Sequence, residues 1–337
     1  MGAHPANAAV QQTACGALRN IACGGDAQRE ARVQAAVDAG ALSLLVAAMG
    51  AHPVDAAVQQ VACGALGNIA CGEGAQGEVR SQAAVDAGVL PLLVAAMGTH
   101  PANAGVQEAA GRALYNIACG GDTQGEARKQ AAVDAGALPL LVTAMGAHLA
   151  DAAVQERACN ALGNIACGEG AQGEARSQAA VDAGALPLLV TAIGAHPADA
   201  GVQERACNAL GNIAYGDDAQ HERAGDTVQQ VACNALGNIA CGEGAQGEAR
   251  SQAAVNAGAL LLLVTAMGAH PANAGVQEAA CRALYSIAAG EDAQGEARKQ
   301  AAVDAGALPL LVAAMGAHPA NAAVQKWGQN ALEQLER

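Results

Sequence analysis

Eleven cysteines, eight histidines and a recurring glycine-rich phrase are the residues of this chain whose types could carry chemistry. Four cysteine pairs, Cys15/Cys23, Cys63/Cys71, Cys159/Cys167 and Cys233/Cys241, stand eight residues apart. Eight residues of helix rise about 12 Å, too far to share a metal ion or form a disulfide. Copies in adjacent units of a helical stack would stand about 8–10 Å apart, which is also out of reach. Spacing and odd count together predict small buried thiols in a reducing compartment. His4, His52, His100, His148, His196, His270 and His318 form a second ladder, mostly as His-Pro. They read as loop-capping or solvent-facing residues, with a pH-sensitive or metal-binding edge as the sharper alternative. His221 stands outside the ladder. The phrase Gly-Glu-Gly-Ala-Gln-Gly at 168–173 lacks the Gly-Lys-Ser/Thr ending of a phosphate loop, and no strand is predicted before it. Asp38, Asp86, Asp134, Asp182 and Asp304 each precede Ala-Gly, with Asn256 in the sixth place, and read as turn and capping residues. Nucleophilic catalysis needs a singular Ser, Cys or Lys with its base. A chain of near-identical units offers none, so no enzyme activity, cofactor or metal is expected.

The remaining series is amide. Asn20, Asn68, Asn116, Asn164 and Asn212 follow one another at 48 residues, Asn238 comes after 26 more, and Ser286 breaks the series. One turn earlier stand Gly16, Gly64, Arg112, Asn160, Asn208, Asn234 and Arg282. Two turns earlier stand Gln12, Gln60, Glu108, Glu156, Glu204, Gln230 and Glu278. On a helix such i, i+4, i+8 sets form one polar stripe.

The elements that must position this stripe follow from the same 48-residue period. In one unit a first helix is predicted over about 125–135, ended by Gly136. A second has Pro139 in its first turn and Leu138, Leu141, Val142 and Met145 on one face. A third carries the apolar stripe Val106, Ala110, Ala113, Leu114 and Ile117 before Gly120 and Gly121. None could bury its stripe alone, whereas stacked copies could. By register, 1–23 is the third helix of a partial repeat and 24–215 holds four repeats. Residues 216–241 form a truncated repeat with an irregular linker, and 242–337 hold two repeats ending in a polar cap. The truncation removes 22 residues near 222–227 and predicts a local kink or weak point. Because the chain starts in mid-unit, a longer array is expected.

Composition agrees with thin stacked layers. Hydrophobic residues make up 52%, yet aromatics only 1%, with no Phe, one Trp and three Tyr. Roughly a quarter of the residues are alanine, each burying one methyl worth about 0.8 kcal/mol. The net charge of −14 disfavours nucleic acid and anionic membranes and suggests a neutral to basic partner. No apolar run reaches the length of a transmembrane span. A soluble cytoplasmic, and alternatively nuclear, protein is expected.

Ala-Val-Asp-Ala-Gly-Ala-Leu-Pro-Leu-Leu-Val at 132–142 and Ala-Leu-Tyr-Asn-Ile-Ala at 113–118 resemble the armadillo repeat, and the resemblance recurs in every full unit. It implies an all-α, right-handed armadillo-type superhelix whose third helices line a concave groove. It also implies that Asn20, Asn68, Asn116, Asn164, Asn212 and Asn238 hold the backbone of an extended peptide through amide donor and acceptor. Arg112, Asn160, Asn208, Asn234, Arg282, Glu108, Glu156 and Glu204 would then complete the groove, centred on the rungs from Glu108/Arg112/Asn116 to Glu204/Asn208/Asn212. Alternatively, each Asn ties its helix to the neighbouring repeat. The function implied is a non-enzymatic scaffold or adaptor for an extended, neutral to basic protein segment, with no nucleic acid, membrane insertion or small-molecule substrate. The alternative is a nuclear-import-type cargo adaptor. That groove would carry Trp one turn before each Asn, where this chain has Gly, Arg or Asn. Without such rings, modest affinity is expected.

Overall fold

A computed structural model describes residues 1–24, 28–72, 74–168, 170–196, 198–215, 230, 233, 234, 236, 237, 244–290 and 292–336. Every regular element among them is helical, and the fold is an all-α solenoid. The chain divides into two units, Met1–Ile165 and Ala166–Arg337. In the first, α1 (Ala8–Ile21) precedes the triplet α2 (Arg29–Asp38), α3 (Ala41–Ala51) and α4 (Ala56–Ala70). Next come α5 (Gly74–Asp86), α6 (Val89–Thr99) and α7 (Ala104–Ala118), then α8 (Thr123–Asp134), α9 (Ala137–Ala147) and α10 (Ala152–Ala166). The second unit contains α11 (Gly170–Asp182), α12 (Ala185–Ala195) and α13 (Ala200–Tyr215), followed by α14 (Gly244–Asn256), α15 (Ala259–Ala269) and α16 (Ala274–Ile287). It ends with α17 (Ala293–Asp304), α18 (Ala307–Ala317) and α19 (Ala322–Glu336). Most of the segment 216–241, with the expected kink and His221, lies outside the described residues.

Each triplet folds for local reasons. Gly136 has φ +86°, a conformation that costs other residues strain. There α8 and α9 bend by 66°. The buried face of α9 is Ala137, Leu138, Leu141, Ala144 and Met145. Val142, expected on that face, is half-buried instead. The third-helix stripe stands as read: Val106, Ala110, Ala113, Leu114 and Ile117 are all 0% exposed. Its start is fixed by Asn103, whose Oδ1 accepts from the Val106 N–H at 3.0 Å, a cap worth about 1 kcal/mol. Among the described residues no single helix is long and apolar enough to cross a membrane.

Two polar ladders hold the triplets together. Gln107 is buried, and its Nε2 donates to Met97 O at 3.0 Å and His100 O at 2.8 Å. It thereby satisfies the Met97 carbonyl, which the end of α6 leaves open, and ties the turn at His100 to the start of α7. Gln59, Gln155, Gln203, Gln277 and Gln325 repeat the arrangement. The histidines work between repeats. His52, His100, His148 and His318 place Nε2 2.7–2.9 Å from the carbonyls of Pro5, Pro53, Pro101 and Pro271. A carbonyl only accepts, so each Nε2 carries the proton. The aspartates at the first-helix ends accept from the glutamine one turn earlier, as Asp134 does from Gln130 at 2.8 Å.

Candidate binding face of the third helices

Within the first unit α4 packs on α1 and α7 on α4. A Cβ on Gly67 would lie 3.3 Å from Ala113 Cα, so the α4 and α7 backbones approach closely. That approach brings the asparagines within reach of the preceding helix. Asn68 Nδ2 donates to Arg19 O at 3.0 Å, Asn116 Nδ2 to Gly67 O at 2.8 Å and Asn164 Nδ2 to Tyr115 O at 3.2 Å. Each acceptor is the residue just before the preceding asparagine. Asn68, Asn116, Asn164 and Asn212 are half-buried and Asn20 is exposed. Asn238 lies outside the described residues. At the far end, Gln334 of α19 reaches instead the C-cap of α16, donating to Ala288 O at 3.2 Å.

The rank one turn earlier is uneven. Gly64 is buried, and Arg112, Asn160, Asn208, Asn234 and Arg282 are half-buried. Arg112 Nη2 donates to Gly64 O at 3.3 Å, whereas Arg282 Nη2 donates to Asn234 Oδ1 at 2.7 Å. In the next rank Glu108 is half-buried. Glu156 pairs with Arg157 at 3.1 Å and Glu204 with Arg205 at 3.3 Å. Both partnering arginines lie outside the expected set.

Sequence reasoning also missed the residues that fix the third helices from behind. Arg80, Arg128, Arg176 and Arg298 are each 1% exposed. Arg128 donates Nε to Ile117 O at 2.9 Å and Nη2 to Cys119 O at 2.7 Å, capping the C-terminus of α7. Arg298 does the same to Ile287 O at 2.9 Å and Ala289 O at 2.6 Å. Arg80 reaches Ile69 O at 2.9 Å and also pairs with Glu30 of the preceding repeat. A cation at a helix C-terminus satisfies open carbonyls and opposes the helix dipole. The signal was present in the sequence: Gly-Glu-Ala-Arg, or Gly-Glu-Val-Arg, recurs in each full repeat after the first.

The family model described as Armadillo/beta-catenin-like repeat matches residues 30–71, 126–167 and 175–215. At these three places the chain carries armadillo repeats. No curated protein matches it. A solved structure described as "A conserved phosphorylation switch controls the interaction between cadherin and beta-catenin in vitro and in vivo" is similar at 14% identity and TM-score 0.35. The match covers 91% of this chain and 69% of that one, a likeness too distant to bear on function. As an array of armadillo repeats, the protein is a protein-interaction repeat scaffold.

The armadillo core also accounts for the cysteines. Burial raises the Cys15 thiol to about 11 and those of Cys63, Cys207 and Cys281 to about 12, and pushes Cys233 up further. Cys23, Cys71 and Cys119, expected to be buried, are exposed instead, because each lies past the end of its third helix, outside the packed stripe. Among the described residues no three His, Cys, Asp or Glu side chains converge to hold a metal. Iodoacetamide at pH 8 should alkylate Cys71 and Cys119 in the folded protein while Cys63 and Cys281 stay protonated and unmodified. Peptide mass mapping reads this, and modification of Cys63 as fast as Cys119 would contradict it. Unfolded thiols ionise near the ordinary value of 9.0 and buried ones not until about 12. The stability that these buried thiols contribute is therefore fully present below pH 9 and is lost as pH rises toward about 12.

Proposed function

We propose that the protein is a non-enzymatic adaptor that holds an extended segment of a partner protein across its third-helix face. The observation that carries this is the fixed amide ladder. At Asn68 and Asn116 one Nδ2 hydrogen is committed to the preceding helix, at 3.0 and 2.8 Å. The tie orients the planar amide and leaves its Oδ1 and second N–H for a ligand. Packed helices stand about 8–10 Å apart and an extended chain advances about 3.3 Å per residue, so one amide meets the partner backbone every two to three residues. Structural tie and backbone clamp thus coexist in one side chain.

The expectation of a neutral to basic segment rests on whole-chain charge and on Glu108, Glu156 and Glu204. Glu156 and Glu204 are each paired with the adjacent arginine, so only Glu108 supports it locally. The import-adaptor alternative calls for Trp where Gly64, Arg112, Asn160 and Asn208 stand, so the general adaptor is the reading we favour. Free thiols at the ten described cysteines fit a reducing compartment, cytoplasmic or nuclear.

Affinity capture with the wild-type protein and with an Asn116→Ala/Asn164→Ala/Asn212→Ala variant tests the clamp. Captured partners should fall severalfold in the variant. The thermal midpoint, measured in parallel, separates lost clamping from lost packing. A folded variant that retains every partner undiminished removes the groove from the reading.

A further inference from the structure

The third-helix face does not carry the charge of the chain. In the first unit α4 has no acidic or basic residue, α7 has Glu108 and Arg112, α10 has Glu156 and Arg157, and α1 adds Arg19. In the second, α13 has Glu204 and Arg205, α16 has Glu278 and Arg282, and α19 sets Lys326 against Glu333 and Glu336. The net charge of −14 therefore resides mainly in the connections, at residues such as Asp55, Asp122, Asp151 and Asp199. Asp55, Asp151 and Asp199 already accept from backbone N–H groups at the starts of third helices.

The charges on the face are mostly engaged within the protein. Glu156 and Arg157 stand 3.1 Å apart, and Glu204 and Arg205 3.3 Å. Arg112 donates to Gly64 O and Arg282 to Asn234 Oδ1. Glu108 and Glu278 each lie one turn from an arginine on their own helix. A charged residue of a partner must break one of these arrangements or lose its water without gaining a counter-charge.

What the face leaves open is amide. Asn160 in α10 and Asn208 in α13 are half-buried, and among the described residues neither side chain makes a hydrogen bond. Neither amide is sealed from solvent. At the same rank Asn234 shows how far such an amide reaches, because its Oδ1 accepts from Arg282, 48 residues on. In the first unit Gln12 and Gln60 add exposed amides.

We infer that the segment held by this face is uncharged and rich in amide and hydroxyl side chains, and that Asn160 in the first unit and Asn208 in the second each read one of them. This rests on the adaptor reading and specifies what whole-chain charge does not. An amide offers an acceptor and two donors. Asn, Gln, Ser and Thr side chains answer both kinds. A carboxylate only accepts and an ammonium group only donates, so each leaves one side of the amide unmet. An apolar residue strips water from the amide and returns no hydrogen bond.

The test uses the full chain and a phage-displayed random dodecapeptide library. Wild type and Asn160→Ala/Asn208→Ala are compared, with far-ultraviolet circular dichroism and a thermal midpoint to confirm that the variant folds. A synthetic peptide from the wild-type selection is then measured by fluorescence anisotropy, beside counterparts in which one amide residue becomes Glu or Lys. The wild type should enrich Asn, Gln, Ser or Thr and deplete charged residues. Its affinity should change less than about twofold between about 0.05 and about 0.5 M salt. The alanine variant should bind the peptide about tenfold more weakly. The Glu and Lys counterparts should both bind the wild type severalfold more weakly at either salt concentration. Enrichment of Lys or Arg, of Asp or Glu, or of apolar residues at fixed positions overturns the uncharged segment and leaves the adaptor standing. Undiminished binding to the folded alanine variant overturns the roles of Asn160 and Asn208. If the wild type enriches no peptide, the adaptor reading falls and this inference with it.

Discussion

Replacing Arg80 with methionine should lower the unfolding free energy by about 2–4 kcal/mol, the largest effect expected of any single side chain outside the apolar core. Arg80 is 1% exposed, donates Nε to Ile69 O at 2.9 Å, and pairs through Nη1 with Glu30 of the preceding repeat. Methionine keeps most of the volume and removes every donor. The open carbonyls at the end of α4 are then buried without a partner, at about 1–3 kcal/mol each. Glu30 is 39% exposed and can be rehydrated, which keeps the total below the full cost of breaking a wholly buried pair. Relief of guanidinium desolvation offsets part of the rest. Stability in a repeat array is a sum of repeat and interface terms, so the transition should also broaden as neighbouring repeats uncouple. Guanidinium chloride titration gives both midpoint and slope. Because the bond to the Ile69 carbonyl is buried, the loss should largely persist in about 1 M salt, with only the part owed to the exposed Glu30 screened. A change under about 0.5 kcal/mol would show that the arginine column fills space and nothing more.

The fold was legible because its signals are local and repeated. An apolar stripe at helical spacing, a glycine that takes φ +86° between α8 and α9, and Asn103 before α7 each act within a few residues. Repetition multiplied them. The thiols were legible only in part: Cys63 and Cys281 are buried as expected, whereas Cys23, Cys71 and Cys119, just beyond the ends of their third helices, are exposed. The ties were not legible. Arg128 bonds carbonyls 11 and 9 residues back, across a loop, and His100 bonds one 47 residues back. A polar residue on a helix with an apolar stripe reads as solvent-facing until the neighbouring repeat is placed against it. The amide ladder was half legible. Its chemistry follows from residue type, but only the distance from Asn116 Nδ2 to Gly67 O decides that one donor is already spent.

These ties have a common physical origin. An alanine layer buries about one methyl per residue, roughly 0.8 kcal/mol, so the stack gains less from burial than a core of leucine and phenylalanine. Gln107 and Arg128 convert open helix-end carbonyls, and His100 a loop carbonyl, into contacts within or between repeats. The same economy sharpens the third-helix face. On that face Asn234 satisfies Arg282, while the buried Nε atoms of Arg112 and Arg157 have no hydrogen-bond partner.

Gly125→Ala should destabilise the protein by about 2–3 kcal/mol, although helix propensity alone favours alanine by about 1 kcal/mol. Gly125 opens the first turn of α8, and its N–H donates to Asp122 Oδ1 at 2.7 Å. A Cβ there would lie 2.5 Å from the Gly120 carbonyl carbon, and closer still to its oxygen. Those are backbone atoms, so no side chain can swing aside. The loop cannot shift freely, because Gly120 is held at φ +133° and Cys119 O beside it accepts from Arg128 at 2.7 Å. Relief must come from opening the first turn of α8, which gives up the Asp122 cap as well, another 1 kcal/mol or so. Gly295 in α17 meets Gly290 O at 2.5 Å in the same way, so Gly295→Ala should behave alike. Gly50 in α3 is the contrast: no atom lies within 4 Å of its Cβ position. Gly50→Ala should therefore stabilise by about 0.5–1 kcal/mol. Denaturant midpoints of the three variants decide the matter, and hydrogen exchange at Gly125 and Glu126 locates the change. Equal midpoints for Gly125→Ala and Gly50→Ala would mean that the loop yields, and that these glycines are not what pins the first helix of each repeat against the third helix before it.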